Sequence, residues 1–229
     1  MKWSLQIAKV SGIRIYIHWS FLLLVVWVLV GGMGGGHNIN HTLYMLAFVL
    51  VIFLCVVLHE LGHALTAKRF NYITKDIVLL PIGGMARMDQ MPENPKQELR
   101  VALAGPAVNL LIALLLFPVI YFFGLMPTLT STLLDTKSAF VFDVFIANIM
   151  LALFNLIPAF PMDGGRILRA LLYTRMTRLQ ATRAASRTGQ FIAIFFFFIG
   201  LFYDPILAVI AVFVFLMAQA ETEYVISHS

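Results

Sequence analysis

Charge is scarce in this sequence. Of its 229 residues only 12% are Asp, Glu, Lys or Arg, against roughly 25% in an average soluble domain, while 61% are hydrophobic. A soluble chain of this length could not cover so much apolar surface with so few charges, so bilayer lipid is the expected covering phase. Cysteine is nearly absent as well. Cys55 stands alone, which excludes an internal disulfide and any cysteine-based zinc cluster. There is no internal repeat, and no low-complexity tract beyond the glycines of 31–36. A small-x-small cleavage site of the Ala-x-Ala type is also missing. Lys2, Lys9 and Arg14 precede the apolar run Ile15 to Val30 as in a signal peptide, but the run ends in Gly31-Gly32-Met33-Gly34-Gly35-Gly36. A retained first helix is therefore expected.

What the sequence does have is length of apolar run. A spanning helix needs roughly 20 mostly apolar residues, and six stretches come close: 15–31, 43–67, 99–123, 140–157, 189–203 and 205–220. The last two are separated only by Tyr203-Asp204-Pro205, which predicts a tight helical hairpin with Pro205 opening its second helix. Between the second and third stretches, Ile73 to Met88 reads as strand, centred on Ile77-Val78-Leu79-Leu80. The fold class expected is an all-α integral membrane protein of about six spans, with a small membrane-associated β element after the second helix. One transmembrane domain is expected over 1–229, with its core at about 43–175.

The net charge of +5 has a position as well as a sign. With six spans, fifteen of the sixteen Lys and Arg fall on the side that holds both termini, and Lys137 alone falls on the other. Cytoplasmic loops are the ones enriched in Lys and Arg, so both termini are expected in the cytoplasm. This placement favours membrane topology over nucleic-acid binding.

Ionisable groups at membrane depth are costly and usually functional. Setting the span ends aside, those in apolar surroundings are His59, Glu60, His63 and Asp163. His59 and His63 are four apart, so on a helix both imidazoles project from one face and can hold one metal ion. Glu60, beside the first ligand, can reach a metal-bound water without ligating. Catalytic zinc keeps three protein ligands and an open position for that water, whose pKa falls from 15.7 to roughly 7. Glu60 would take its proton as general base and pass it to the leaving amine. The plainer reading is a polar cluster that packs helices.

For a third ligand the candidates are Asp163 and the histidines at 18, 37, 41 and 228. His37 and His41 fall on the predicted outer side, and His228 is nearly terminal. Asp163 lies just past the fourth stretch, in Asn155-Leu156-Ile157-Pro158-Ala159-Phe160-Pro161-Met162-Asp163-Gly164-Gly165. Two prolines break the helix there and two glycines permit close backbone approach. Irregular backbone at membrane depth is tolerated where it lines a cavity or is buried in protein, so a carboxylate on this stretch suits a third ligand.

Together, His59-Glu60-Leu61-Gly62-His63 and Asn155…Pro158…Pro161-Met162-Asp163-Gly164-Gly165, about a hundred residues apart, resemble the site-2 protease family of intramembrane zinc metalloproteases. The resemblance extends to Leu80-Pro81-Ile82-Gly83-Gly84-Met85-Ala86 and Ala104-Gly105-Pro106, and covers roughly residues 15 to 175. It implies one Zn2+ held by His59, His63 and Asp163, with Glu60 as catalytic base and Asn155 steadying the oxyanion or substrate carbonyl. It also implies a transmembrane-helix substrate cut within or near the bilayer, as in regulated intramembrane proteolysis. The expected location is a prokaryotic cell membrane, with the active site near the cytoplasmic side. Some relatives continue past the last span into a cytoplasmic nucleotide-binding domain.

Four features carry two readings each. The 73–88 element, which resembles the family's β element, either offers an edge for strand addition by an unwound substrate or is an amphipathic connector. Gly165 to Arg187, with six arginines, reads chiefly as an interfacial helix against anionic headgroups, and otherwise as a docking surface. Cys55, one turn before His59, and His18, at the start of the first stretch, read as core residues rather than site residues. A gate is needed in principle, and the first, fifth and sixth stretches are the candidates for moving parts. Two rival functions remain. A metal transporter needs ligands reaching both faces, whereas this cluster sits near one; a non-catalytic helix-binding relative would have no use for Glu60.

Overall fold

The computed structural model describes residues 4–34, 38–81, 83–88, 94–126 and 136–227. By its internal contacts the chain divides into two compact units, one of residues 1–91 and 107–152, the other of 92–106 and 153–229. Among the described residues there are seven helices and a single four-stranded sheet.

The first unit begins with a hairpin. β1 (Ser4–Val10) turns through Ser11-Gly12 into β2 (Ile13–His18), pairing Val10 with Ile13. Ser11 at φ 51° and Gly12 at φ 93° both take positive φ, as a two-residue hairpin turn of right-handed twist requires. This corrects the expectation of a first span at 15–31. Ile15 to His18 belong to β2, and the helix α1 starts only at Ser20 and runs to Gly34. Ile13, Ile15 and Ile17 alternate with Arg14, Tyr16 and His18, which is the period of a half-buried strand.

α2 (Ile39–Arg69) follows, capped at its start by the Asn38 side chain. Its 31 residues give it a length of about 46 Å. The chain then returns as β3 (Thr74–Leu80) and β4 (Gly83–Met88), the strands expected over 73–88. The sheet runs β1-β2-β3-β4, with β2 and β3 parallel and the other pairs antiparallel. It is therefore larger than the element read from the sequence, because the N-terminal hairpin joins it. Ile13, Ile15, Ile77 and Leu79 from the sheet pack with Val57, Leu61 and Ala64 of α2 into one buried cluster. This fastens the second half of α2 to a sheet. α3 (Pro95–Phe122) and α4 (Thr136–Asn155) lend residues to both units.

In the second unit, α5 (Asp163–Tyr173), α6 (Arg178–Tyr203) and α7 (Pro205–Ser227) follow the prolines of 156–162. Pro205 opens α7 as expected. The stretch 165–187 is not one interfacial helix. It breaks at Thr177, whose side chain accepts from the Gln180 backbone while the Gln180 side chain accepts in return, a capping box that restarts the chain as α6. α6 and α7 pack through small residues. A Cβ on Gly200 would lie 2.3 Å from the Ala208 nitrogen, and Ser186 Oγ donates to the Ala218 carbonyl at 2.6 Å. Close approach and interhelical hydrogen bonds hold helices together where lipid supplies no hydrophobic drive.

Among the described residues four helices are long and apolar enough to cross a membrane: Ile39–Arg69, Pro95–Phe122, Arg178–Tyr203 and Pro205–Ser227. The other two stretches expected to span contain shorter apolar helices, Ser20–Gly32 and Phe140–Asn155.

Candidate metal centre

α2 stays helical to Arg69 and carries His59, Glu60 and His63. The two histidines are buried, with their rings 4.7 Å apart and nearly perpendicular. Their Nε2 atoms face each other at 3.1 Å. Zinc binds imidazole nitrogen at about 2.0–2.1 Å, so two such bonds span up to about 4 Å and one ion can serve both. His59 turns its other ring nitrogen, Nδ1, to the Asn109 side-chain oxygen at 2.5 Å. Metal-ligating histidines almost always donate their second N–H to an acceptor of this kind. Asn109 is fully buried on α3 and donates in turn to Asn148 of α4 at 2.9 Å.

Glu60 is half-buried, and β4 lies across its stem. A Cβ on Gly84 would come within 2.7 Å of Glu60 Cγ and 3.1 Å of Val56 Cγ1, so only glycine fits there without moving the carboxylate. Asn155 is the last residue of α4 and is half-buried.

Asp163 is buried and opens α5, where the helix N-terminus favours negative charge. The two glycines after it are there for space. A Cβ on Gly164 would sit 2.1 Å from the Ile157 carbonyl oxygen, and one on Gly165 2.7 Å from the Phe160 nitrogen. Six residues on, Arg169 is 1% exposed. Its Nε donates to Glu98 at 2.7 Å, its Nη1 to Glu221 at 2.5 Å, and its guanidinium lies 5.2 Å from the Phe160 ring centre. Burial alone would lower the Arg169 pKa, but Glu98 and Glu221 outweigh it and hold the group above its ordinary value.

His59, His63 and Asp163 form a group able to hold a metal ion, with one ligand atom from each within 4.8 Å of the others. Two imidazoles and one carboxylate are the donor set of an open catalytic zinc site. Residues 47–141 and 126–200 match the sequence profile of Peptidase family M50. The chain is 38% identical over 226 residues to the zinc metalloprotease MJ0392 of Methanocaldococcus jannaschii, covering 98% of this chain and 62% of that protein. The solved structure of a site-2 protease from Methanocaldococcus jannaschii matches with a TM-score of 0.67 and 35% identity, over 96% of this chain and 95% of that one.

This chain belongs to peptidase family M50, the site-2 proteases.

It spans about half to three-fifths of the length of the curated relatives it matches, from 49% to 62%. Family and apolar helices together make it an integral membrane protein, and Zn2+ is the metal of its zinc metalloprotease relatives.

The other candidate ligands fall elsewhere. His18 ends β2 with its Nδ1 2.7 Å from Ser20 Oγ. His41 is exposed in the first turn of α2, eighteen residues and about 27 Å of helix from His59. His37 and His228 lie outside the described residues. Cys55 is buried, its Sγ 3.4 Å from Asn148 Nδ2. Sequence reasoning missed Asn109 and Asn148, because it searched apolar helices for charges and passed over neutral amides. Polar residues at membrane depth were the available signal. It also passed over Asp143 of α4, which accepts a hydrogen bond from Tyr44 of α2.

Proposed function

We propose that this chain is an intramembrane zinc metalloendopeptidase that hydrolyses peptide bonds of transmembrane-helix substrates. The observation that carries this reading is the facing pair of buried imidazole nitrogens on α2, grouped with Asp163 and next to Glu60. His59, His63 and Asp163 would hold the metal. Zn2+ bound there would supply a Lewis acid that brings the pKa of water to near 7. Glu60 takes a proton from the attacking water as its oxygen bonds to the peptide carbon. It then delivers that proton to the departing amine as the C–N bond breaks. Asn155 offers amide N–H to the carbonyl oxygen as it gains charge.

The protease domain runs over 1–229 with its core at about 43–175. It crosses the membrane about six times, since the two shorter apolar helices occupy the remaining stretches expected to span. Both termini and the active site lie toward the cytoplasm, where the Lys and Arg of the loops accumulate. β4 is an edge of the sheet and lies over Glu60, which supports strand addition by an unwound substrate.

The test is cleavage of a panel of transmembrane-helix substrates by the purified chain in lipid vesicles. A strong zinc chelator should abolish cleavage and added Zn2+ should restore it. Chelator-resistant cleavage would overturn the reading.

A further inference from the structure

One chain of hydrogen bonds among neutral groups runs from a backbone carbonyl to a ring nitrogen of His59. The Val144 carbonyl of α4 accepts from Asn148 Nδ2 at 2.8 Å. The Asn148 side-chain oxygen accepts from Asn109 Nδ2 at 2.9 Å, and the Asn109 side-chain oxygen lies 2.5 Å from His59 Nδ1. Cys55 Sγ, a weak acceptor, lies 3.4 Å from the same Asn148 NH2. Asn109 and Asn148 are both fully buried, so no water competes for these bonds.

The direction of this relay follows from its first member. A carbonyl oxygen can only accept, so Asn148 must turn its NH2 toward Val144 and its oxygen toward Asn109. Asn109 must then answer with its NH2, which leaves its oxygen facing His59. An oxygen there requires the His59 proton on Nδ1 and the ring's lone pair on Nε2, the atom that faces His63. Turning Asn148 over would set its oxygen against the Val144 oxygen and its NH2 against the Asn109 NH2, and turning Asn109 over would set its oxygen against the Asn148 oxygen; in a buried site such unmatched polar groups are costly.

We infer that Asn109 and Asn148 are positioning residues that fix the His59 tautomer before metal arrives, the choice being set by the Val144 backbone carbonyl. The inference rests on the zinc site proposed above. It makes His59 preorganised rather than dependent on the ion to select its tautomer, and it explains why three neutral polar side chains are buried on three apolar helices.

The experiment measures zinc affinity of the full chain by competition with a chromogenic chelator. Asn109→Leu keeps the bulk and removes the acceptor, and should weaken zinc binding about 10- to 100-fold. Asn109→Asp should bind at least as tightly as wild type, because a carboxylic acid can accept from His59 and donate to Asn148. Asn148→Leu should fall between Asn109→Leu and wild type, since it frees the Asn109 amide without removing it. If Asn109 merely packed, the order would invert, with Leu tolerated and a buried Asp harmful. Either that order or wild-type affinity in Asn109→Leu overturns the inference.

A second measurement needs no variant. Nitrogen NMR of histidine-labelled wild type, stripped of metal by chelator, should show His59 protonated on Nδ1; protonation on Nε2 overturns the relay. Wild type that never binds zinc would instead overturn the proposed function, while the tautomer would still decide the relay.

Discussion

Arg169→Met isolates the buried ion group beneath the loop that leads to Asp163. Arg169 is 1% exposed and Glu98 4% exposed, with Glu221 completing the group. Removing the guanidinium leaves the Glu98 and Glu221 carboxylates without the cation they share, one of them deeply buried. Breaking a buried pair by deleting one partner costs about 3–5 kcal/mol, because the remaining charge is uncompensated. Loss of the contact with Phe160 adds about 0.5–2 kcal/mol, which the apolar methionine partly returns by packing on the same ring. A net cost of about 3–5 kcal/mol is expected. Replacing all three charges together, as Arg169→Met with Glu98→Leu and Glu221→Leu, should restore stability to near wild type or above it. Reversible unfolding in mixed micelles, followed by circular dichroism, reads both. A single variant costing less than about 1 kcal/mol, or a triple variant as unstable as the single, would refute the reasoning.

Gly84→Ala places a Cβ 2.7 Å from Glu60 Cγ and so displaces the carboxylate. A misplacement well under 1 Å should lower kcat at least about 10-fold while zinc content stays at wild type, checked by steady-state cleavage and metal analysis. Gly164→Ala meets backbone rather than side chain, 2.1 Å from the Ile157 oxygen and 2.4 Å from the Leu156 oxygen. Thermal unfolding should show a loss of about 1–3 kcal/mol together with reduced zinc content, since Asp163 is the residue just before it. Gly31→Ala, with nothing within 4 Å of its Cβ, is the control and should stay within about 0.5 kcal/mol.

What could be read from the sequence was whatever depends on spacing within one element. His59 and His63 at i and i+4 face one another on α2 because any helix would put them there. The two glycines after Asp163 are crowded by backbone as the broken helix around them implied. The strands at 73–88 and the start of α7 at Pro205 are likewise local signals. The missed features depend on partners distant in sequence or on two apolar patterns that merge. Ile13 to Ile17 alternates like a strand, yet it runs into Phe21-Leu22-Leu23-Leu24, and hydropathy alone fuses the two. Its pairing with β3, Ile15 beside Ile77, comes from 62 residues away. The break between α5 and α6 was written in Thr177 and Gln180 but hidden by the arginines around them. Asn109 and Asn148 carry no charge, and only the fold brings them to His59.

The most direct test of the account is to purify wild type and Glu60→Gln side by side, quantify zinc in each, and assay both on transmembrane substrates. If Glu60 moves the proton, both proteins hold about one zinc and cleavage falls by about 10²- to 10⁴-fold in the variant. Cleavage by Glu60→Gln at the wild-type rate, or wild type that holds zinc and cuts none of the substrates, would contradict it.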